Sequence, residues 1–192
     1  MRWWGNGLGG FLVLALTTGG ASLSVASAVA TAGAALNIMI RLAAGWLVGR
    51  MPCAAWRALT GLFIAGAAGT ALLTQPDLTV ITVGALLAYG GGWGWAGLLH
   101  YVIGLPYTGW EQRATAYSEM GVSLGAASGP LACGLLFTAV SPIASWWVLT
   151  AAGTAAAACV LFARKVIPPH QHGAAAHLSV APRDTVKMVG QR

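Results

Sequence analysis

In 192 residues the chain carries 7% charged side chains against 57% hydrophobic ones, with 27 glycines, nine tryptophans and a mean hydropathy of +0.73. A soluble globule needs far more polar surface, an average soluble domain being roughly 25% charged, so the composition points to an all-α polytopic membrane protein, in which small residues let helices approach and Trp sits at the interface. The net charge of +6 comes from ten Lys and Arg residues scattered at the ends of apolar runs, with no basic face and no interleaved aromatics, and a nucleic-acid partner is not indicated.

The chain opens Met1-Arg2-Trp3-Trp4 and enters an apolar run. Ala26-Ser27-Ala28 has the small-residue character of a signal-peptide cleavage site, but further spans follow without a soluble domain, which favours an uncleaved first span. A spanning helix needs roughly 20 apolar residues. The stretch from Gly7 to Gly49 is enough for two, and Gly19-Gly20-Ala21-Ser22 is where it breaks, giving spans at about 5–21 and 26–49. A third is expected at about 55–74, closed by Gln75-Pro76-Asp77, and a fourth at about 78–101. After a loop from Gly104 to Gln112 come a fifth span at about 113–138 and a sixth at about 143–163. Residues 166–192 turn polar and read as a disordered cytoplasmic tail.

The direction of these segments is set by the turn after the second span. Arg41, Arg50 and Arg57 cluster around Pro52 in an otherwise nearly uncharged chain. Lys and Arg translocate poorly, so such a loop stays in the cytoplasm. Six spans then put Arg2, Arg41, Arg50, Arg57, Arg113, Arg164, Lys165, Arg183, Lys187 and Arg192 on or next to one side, with Asp77 on the other. Both termini are expected in the cytoplasm of a multi-pass plasma-membrane protein.

No catalytic constellation is visible: GxSxG, HExxH and phosphate-cradling loops are missing from the sequence, and an enzyme is not expected. Cys53, Cys133 and Cys159 form no CxxC and read as small apolar helix residues. His170-x-His172 has the spacing for weak metal binding, though a solvated tail explains it as well. No metal or cofactor is implied.

Polar residues inside the spans are the candidates for function. Gly33, Asn37, Arg41 and Gly45 recur every four residues and share one helical face; that face either lines a cavity or lets Arg41 snorkel while Asn37 bonds a neighbouring helix. Gly121, Gly125 and Gly129 make a ridge for close packing, with Pro130 allowing a bend. Thr115, Glu119 and Ser123 form a second stripe on the fifth span, displaced by about 200°. Glu119 either reaches the interface, pairs with Arg50, or takes part in proton or substrate coupling. The Gly90–Trp95 run is a poor helix interior. It is either an opened helix at the midplane, with Tyr89, Trp93 and Trp95 on a cavity, or a glycine packing surface with aromatics filling space.

Arg41-Leu-Ala-Ala-Gly45-Trp-Leu-Val-Gly49-Arg50-Met-Pro52 resembles the G-x-L-x-D-R signature that the major facilitator superfamily carries after the second helix of each half. Gly45 and Arg50 match; Gly49 stands at the signature Asp, and Pro52 where a second glycine is usual. Arg113 to Gly134 resembles that family's penultimate helix, and a six-span unit with both ends inside resembles its C-terminal half. The resemblance covers about residues 5–165. It implies a secondary transporter half, truncated or split, that moves a small solute with or without proton coupling. It also implies a bilayer setting and a partner, either a separate N-terminal half or a second copy. The substrate and ion pathway would run along Asn37, Arg41, Tyr89, Trp93, Glu119 and Ser123. A membrane fragment or interaction protein that transports nothing is the alternative.

Overall fold

Helix ends in this chain fall where its few cap-forming residues stand. The structure, a computed structural model, describes residues 11–104 and 111–166. The start of the expected first span, most of the loop after the fourth, and the tail with His170 and His172 lie outside the described residues. The described residues form helices and turns, with no strand among them. We label the helices α1 (helical over 11–18), α2 (Leu23–Arg50), α3 (Ala55–Leu72), α4 (Leu78–Gly104), α5 (Glu111–Ala139) and α6 (Pro142–Val166). A short 3₁₀ turn, Pro52–Ala54, joins α2 to α3. The ends of α2 to α6 lie within about three residues of the expected boundaries.

Gly20 stops α1. Its φ of +94° is open to glycine at little cost. Around it the Ala21 N–H donates to Leu16 O at 3.0 Å and the Gly20 N–H to Thr17 O at 3.1 Å, the paired closure of a Schellman end. Ser22 then caps α2 by accepting from the Val25 N–H, and Ser141 caps α6 by accepting from the Ala144 N–H, with Pro142 in the first turn. Asp77 caps α4: its Oδ1 accepts from the Thr79 and Val80 amides at 2.8 and 3.0 Å. Those bonds hold its carboxyl below its ordinary value of 3.8.

Three helices, α2, α5 and α6, are long and apolar enough to cross a membrane. The shorter α3 (18 residues) and the Gly- and Trp-rich α4 carry the core instead. Phe63 is fully buried and Trp95 is 2% exposed; their rings stack at 5.8 Å. The two helices touch through glycine. A Cβ on Gly69 would lie 2.7 Å from Gly84 O and 2.8 Å from Ala88 Cα, and one on Gly91 would lie 2.8 Å from Gly66 Cα. Outside this pair, α6 joins α3, where Thr70 and Thr150 hydroxyls meet at 3.0 Å, and α2 lies along α4. Phe11, Phe137 and Trp146 connect α1, α5 and α6.

Chain direction alternates through the bundle. Ala15, Gly19, Gln75, Pro76 and Pro142 surround one groove at one end. At the other end lie the Arg50–Arg57 turn and the ends of α4 and α6. Of the six described Lys and Arg residues, Arg50, Arg57, Arg113, Arg164 and Lys165 belong to that second end, opposite Asp77, and Arg41 lies nine residues before Arg50 within α2.

Two of the readings above are settled by this packing. The Gly90–Trp95 run is not an opened helix: α4 continues through it, and Gly90, Gly91, Gly92, Gly94 and Trp95 are buried. Trp95 Nε1 donates to Gly92 O at 2.7 Å, so the indole is held within its own helix. The Gly121–Gly129 ridge is used only in part. Gly129 is buried, Gly125 is half-buried, and Gly121 is exposed with open space where a Cβ would go.

Gly91→Ala should destabilise the protein by about 1–3 kcal/mol, because backbone rather than a movable side chain occupies the space. Gly45→Ala, with nothing within 4 Å of the added Cβ, should be neutral or stabilising; thermal unfolding in detergent compares them. The Asp77 cap stabilises the fold above its ordinary pKa of 3.8, and that contribution disappears as pH falls through the lower folded value. The Thr79 and Val80 amide resonances should titrate with Asp77 in acid and stay still in Asp77→Asn.

Candidate functional site

The buried polar side chains among the described residues, Thr60, Thr70 and Ser145, belong to α3 and α6, while the ionisable side chains Arg41 of α2 and Glu119 of α5 approach α4. From α2, the face bearing Gly33, Asn37, Arg41 and Gly45 turns toward this helix, as its four-residue spacing allows. Gly33 is buried against the Tyr89 ring, whose Cγ would lie 3.0 Å from an added Cβ. Two turns further on, Arg41 donates from Nε and Nη2 to the Trp93 carbonyl at 3.1 and 2.8 Å. The guanidinium is therefore fixed on the backbone of a neighbouring helix. Snorkelling away along its own helix does not describe it. Arg41 lies nine residues before the end of α2, which places it about 14 Å inside that end.

Two buried polar atoms beside this contact have no partner among the described residues: Asn37 Oδ1 on α2 and the Trp93 indole Nε1 on α4. Orphan atoms of this kind are uncommon in native interiors, where buried polar groups are nearly always satisfied. Asn37 carries one of them on α2; the Trp93 indole lies nearly on the α4 face of His100, whose Nε2 is a third such atom.

Beyond Arg41 the two helices part. A cleft of about 400 Å³ opens between them, with Arg41 at its inner end and Gly45, Gly49, Gly97, Leu98 and Tyr101 along it. Additional side-chain atoms at Gly45, Gly49 or Gly97 would meet nothing within 4 Å, so here glycine makes space instead of contact. Arg50 lies over the Trp46 ring at 4.0 Å, a cation–π arrangement.

On α4's other flank stands His100, a residue given no role from the sequence. Its Nε2 lies 2.6 Å from Glu119 Oε1 on α5. Glu119 thus pairs with His100 and not with Arg50, and of its stripe Thr115 is half-buried while Ser123 is exposed. The Nε2 contact is close but not aligned as a hydrogen bond. His100 Nδ1 lies 2.7 Å from the Ala96 carbonyl, which only accepts, so Nδ1 carries the hydrogen. With that tautomer fixed, an unprotonated Nε2 would point its lone pair at a carboxylate. The contact is favourable when the pair holds one further proton, either on the imidazole or on the carboxyl. The side chains are 32% and 44% exposed, while Nε2 itself is buried.

The signal for His100 was present in the sequence: it is the lone histidine within the apolar spans, seven residues after Trp93 and so nearly on the same helical face. The identity of its partner was not legible, because the crossing of α4 and α5 sets it.

No protein family, curated protein or solved structure matches the chain. The class that the fold defines is an all-helical protein with three helices long and apolar enough to cross a membrane. Two contacts of its ionisable side chains, Arg41 on the Trp93 carbonyl and Glu119 beside His100, both involve α4.

In ¹⁵N-histidine spectra, the resonance lost in His100→Gln should report a protonated Nδ1 throughout the pH range in which the protein stays folded. Glu119→Ala should leave Nδ1 protonated, because its partner is the Ala96 carbonyl.

Proposed function

We propose that the chain is a six-helix membrane bundle of the major-facilitator type, serving as one half of a secondary transporter for a small solute. The observation that carries this reading is the alternating helix order, with five of the six described basic residues at one end and Asp77 at the other. Under the positive-inside rule the basic end faces the cytoplasm, and in this reading the chain is a multi-pass plasma-membrane protein. The Gly45–Arg50 segment that resembles the family signature sits at that end, as a signature loop would. In this reading α3 and α4 cross the bilayer as well, shielded by the more apolar helices.

Several exposed faces support a partner. On α2, Ile38, Met39, Leu42 and Trp46 are each at least 60% exposed, and on α5 Tyr117 and Leu124 are at least 70% exposed. Lipid covers such faces, and so does a second six-helix unit. α5 touches α4 and α6 only sparsely and presents the open Gly121 edge, where a helix of another half, or of a second copy, would fit closely. The solute pathway is assigned to Asn37, Arg41 and Trp93, with Tyr89 closing it on the Gly33 side. Glu119, paired with His100, is the site of proton coupling, and Ser123 extends the α5 stripe.

Reconstitution in proteoliposomes tests the reading. The chain, alone or with a co-expressed six-helix partner, should move a small solute from a screened panel, and Glu119→Gln should lower uptake driven by a pH gradient at least tenfold. Transport that is absent in every combination, with Glu119→Gln changing no cellular phenotype, would establish the non-transporting membrane protein instead.

A further inference from the structure

The geometry points to the α2–α4 cleft as a binding site for an anionic amphiphile, its carboxylate or phosphate head on Arg41 and its apolar body along the glycine-floored channel toward Tyr101. This rests on the chain being a membrane bundle, and it does not require that the bundle transport anything.

Charge is the first argument. Among the described residues Arg41 is the one charged side chain on the cleft, and it lies about 14 Å inside the basic end of the bundle. Of the carboxylates whose side chains are described, Glu119 is on His100 and Asp77 is at the opposite end. A cation at such depth in a membrane is costly unless paired or bonded. Nε and Nη2 share the Trp93 carbonyl, which fixes the exposed guanidinium, and no carboxylate among the described side chains compensates its charge. Arg has five N–H donors, so at least the two on Nη1 and the second on Nη2 remain for a head group. A guanidinium held by its back edge is preorganised for a planar or tetrahedral oxyanion.

Shape is the second argument. The cleft walls are apolar and small, with Gly45, Gly49 and Gly97 contributing no side chain, and its volume of about 400 Å³ lies within the usual ~300–1,000 Å³ of small-molecule sites. A bare inorganic anion would leave that channel unfilled; a neutral alkyl chain would leave the charge unanswered. One molecule with both parts satisfies both. A membrane lipid and a water-borne carboxylate share this chemistry.

Photo-crosslinking on the full chain in phosphatidylcholine nanodiscs tests the site. The probe is decanoate carrying a diazirine near its chain end, with peptides mapped by mass spectrometry. Labelling should concentrate on residues 41–49 and 94–101, with unlabelled decanoate competing at least tenfold better than decanol or inorganic phosphate. Arg41→Gln should cut labelling at least tenfold, and so should Gly97→Leu. At Gly97 an added Cβ meets nothing within 4 Å, so the leucine narrows the cleft without removing the cation, and it decides the matter if Arg41→Gln does not fold. Competition by phosphatidylglycerol would assign the site to a lipid head group; none, with decanoate still bound, would assign it to a water-borne solute. Equal competition by decanol, or labelling spread over α5 and indifferent to both variants, would overturn the site. Labelling without any transport would leave this inference standing and remove the transporter. Solute transport indifferent to Gly97→Leu, together with unchanged labelling, would remove this inference and leave the transporter.

Discussion

The contact on which the structure depends is the approach of α3 to α4 with glycine on both sides. Lipid tails are as apolar as leucine, so two helices in a bilayer gain nothing by hiding hydrophobic surface from each other; they gain by packing backbone against backbone. Gly66 and Gly69 on α3 meet Gly84, Ala88 and Gly91 on α4 closely enough that a single methyl group would intrude on main-chain atoms. That contact fixes α4 at the centre. α2 can then lie along one flank and bring Arg41 to the Trp93 carbonyl, while α5 brings Glu119 to His100 on another.

The same arrangement explains how few charges the interior holds and how each is kept. Arg41 is bonded to a backbone carbonyl, and Glu119 stands beside an imidazole whose other nitrogen is committed to Ala96. Both solutions use α4 as the counterpart, in one case its main chain and in the other its side chain. His100 and Glu119 belong to different helices, so this contact joins α4 to the sparsely packed α5.

Much of the architecture was legible in the sequence because its signals are local. Gly20, Ser22, Asp77 and Ser141-Pro142 end or start helices through bonds within a few residues, so the helix limits could be read from the chain. The four-residue spacing of Gly33, Asn37, Arg41 and Gly45 likewise fixed a common face, and that face does turn to another helix. What could not be read was which helix lies opposite. Glu119 has Arg113 and Arg50 as candidate neighbours by sequence and by end of the bundle, yet the α4–α5 crossing gives it His100. The Gly121–Gly129 repeat shows that a helix can be approached closely, not which helix approaches it, and the described helices cover only its Gly129 end.

Glycine illustrates the limit most directly, because the residue has opposite uses that its letter does not distinguish. At Gly69, Gly84 and Gly91 the missing side chain is replaced by a neighbour's backbone, and at Gly90 and Gly94 by Ile40. At Gly45, Gly49 and Gly97 it is replaced by nothing. In sequence, Gly94 and Gly97 stand three residues apart in one glycine-rich run, yet the first is filled and the second is empty. A helix interior gains about 1 kcal/mol from Ala over Gly, so an unfilled glycine lowers stability without the close approach that offsets it at Gly91. Within α2 and α4 the empty positions Gly45, Gly49 and Gly97 border the cleft that begins at Arg41. Space kept open against helix propensity, beside a cation with no carboxylate among the described side chains, is the combination that separates a site from packing in this bundle.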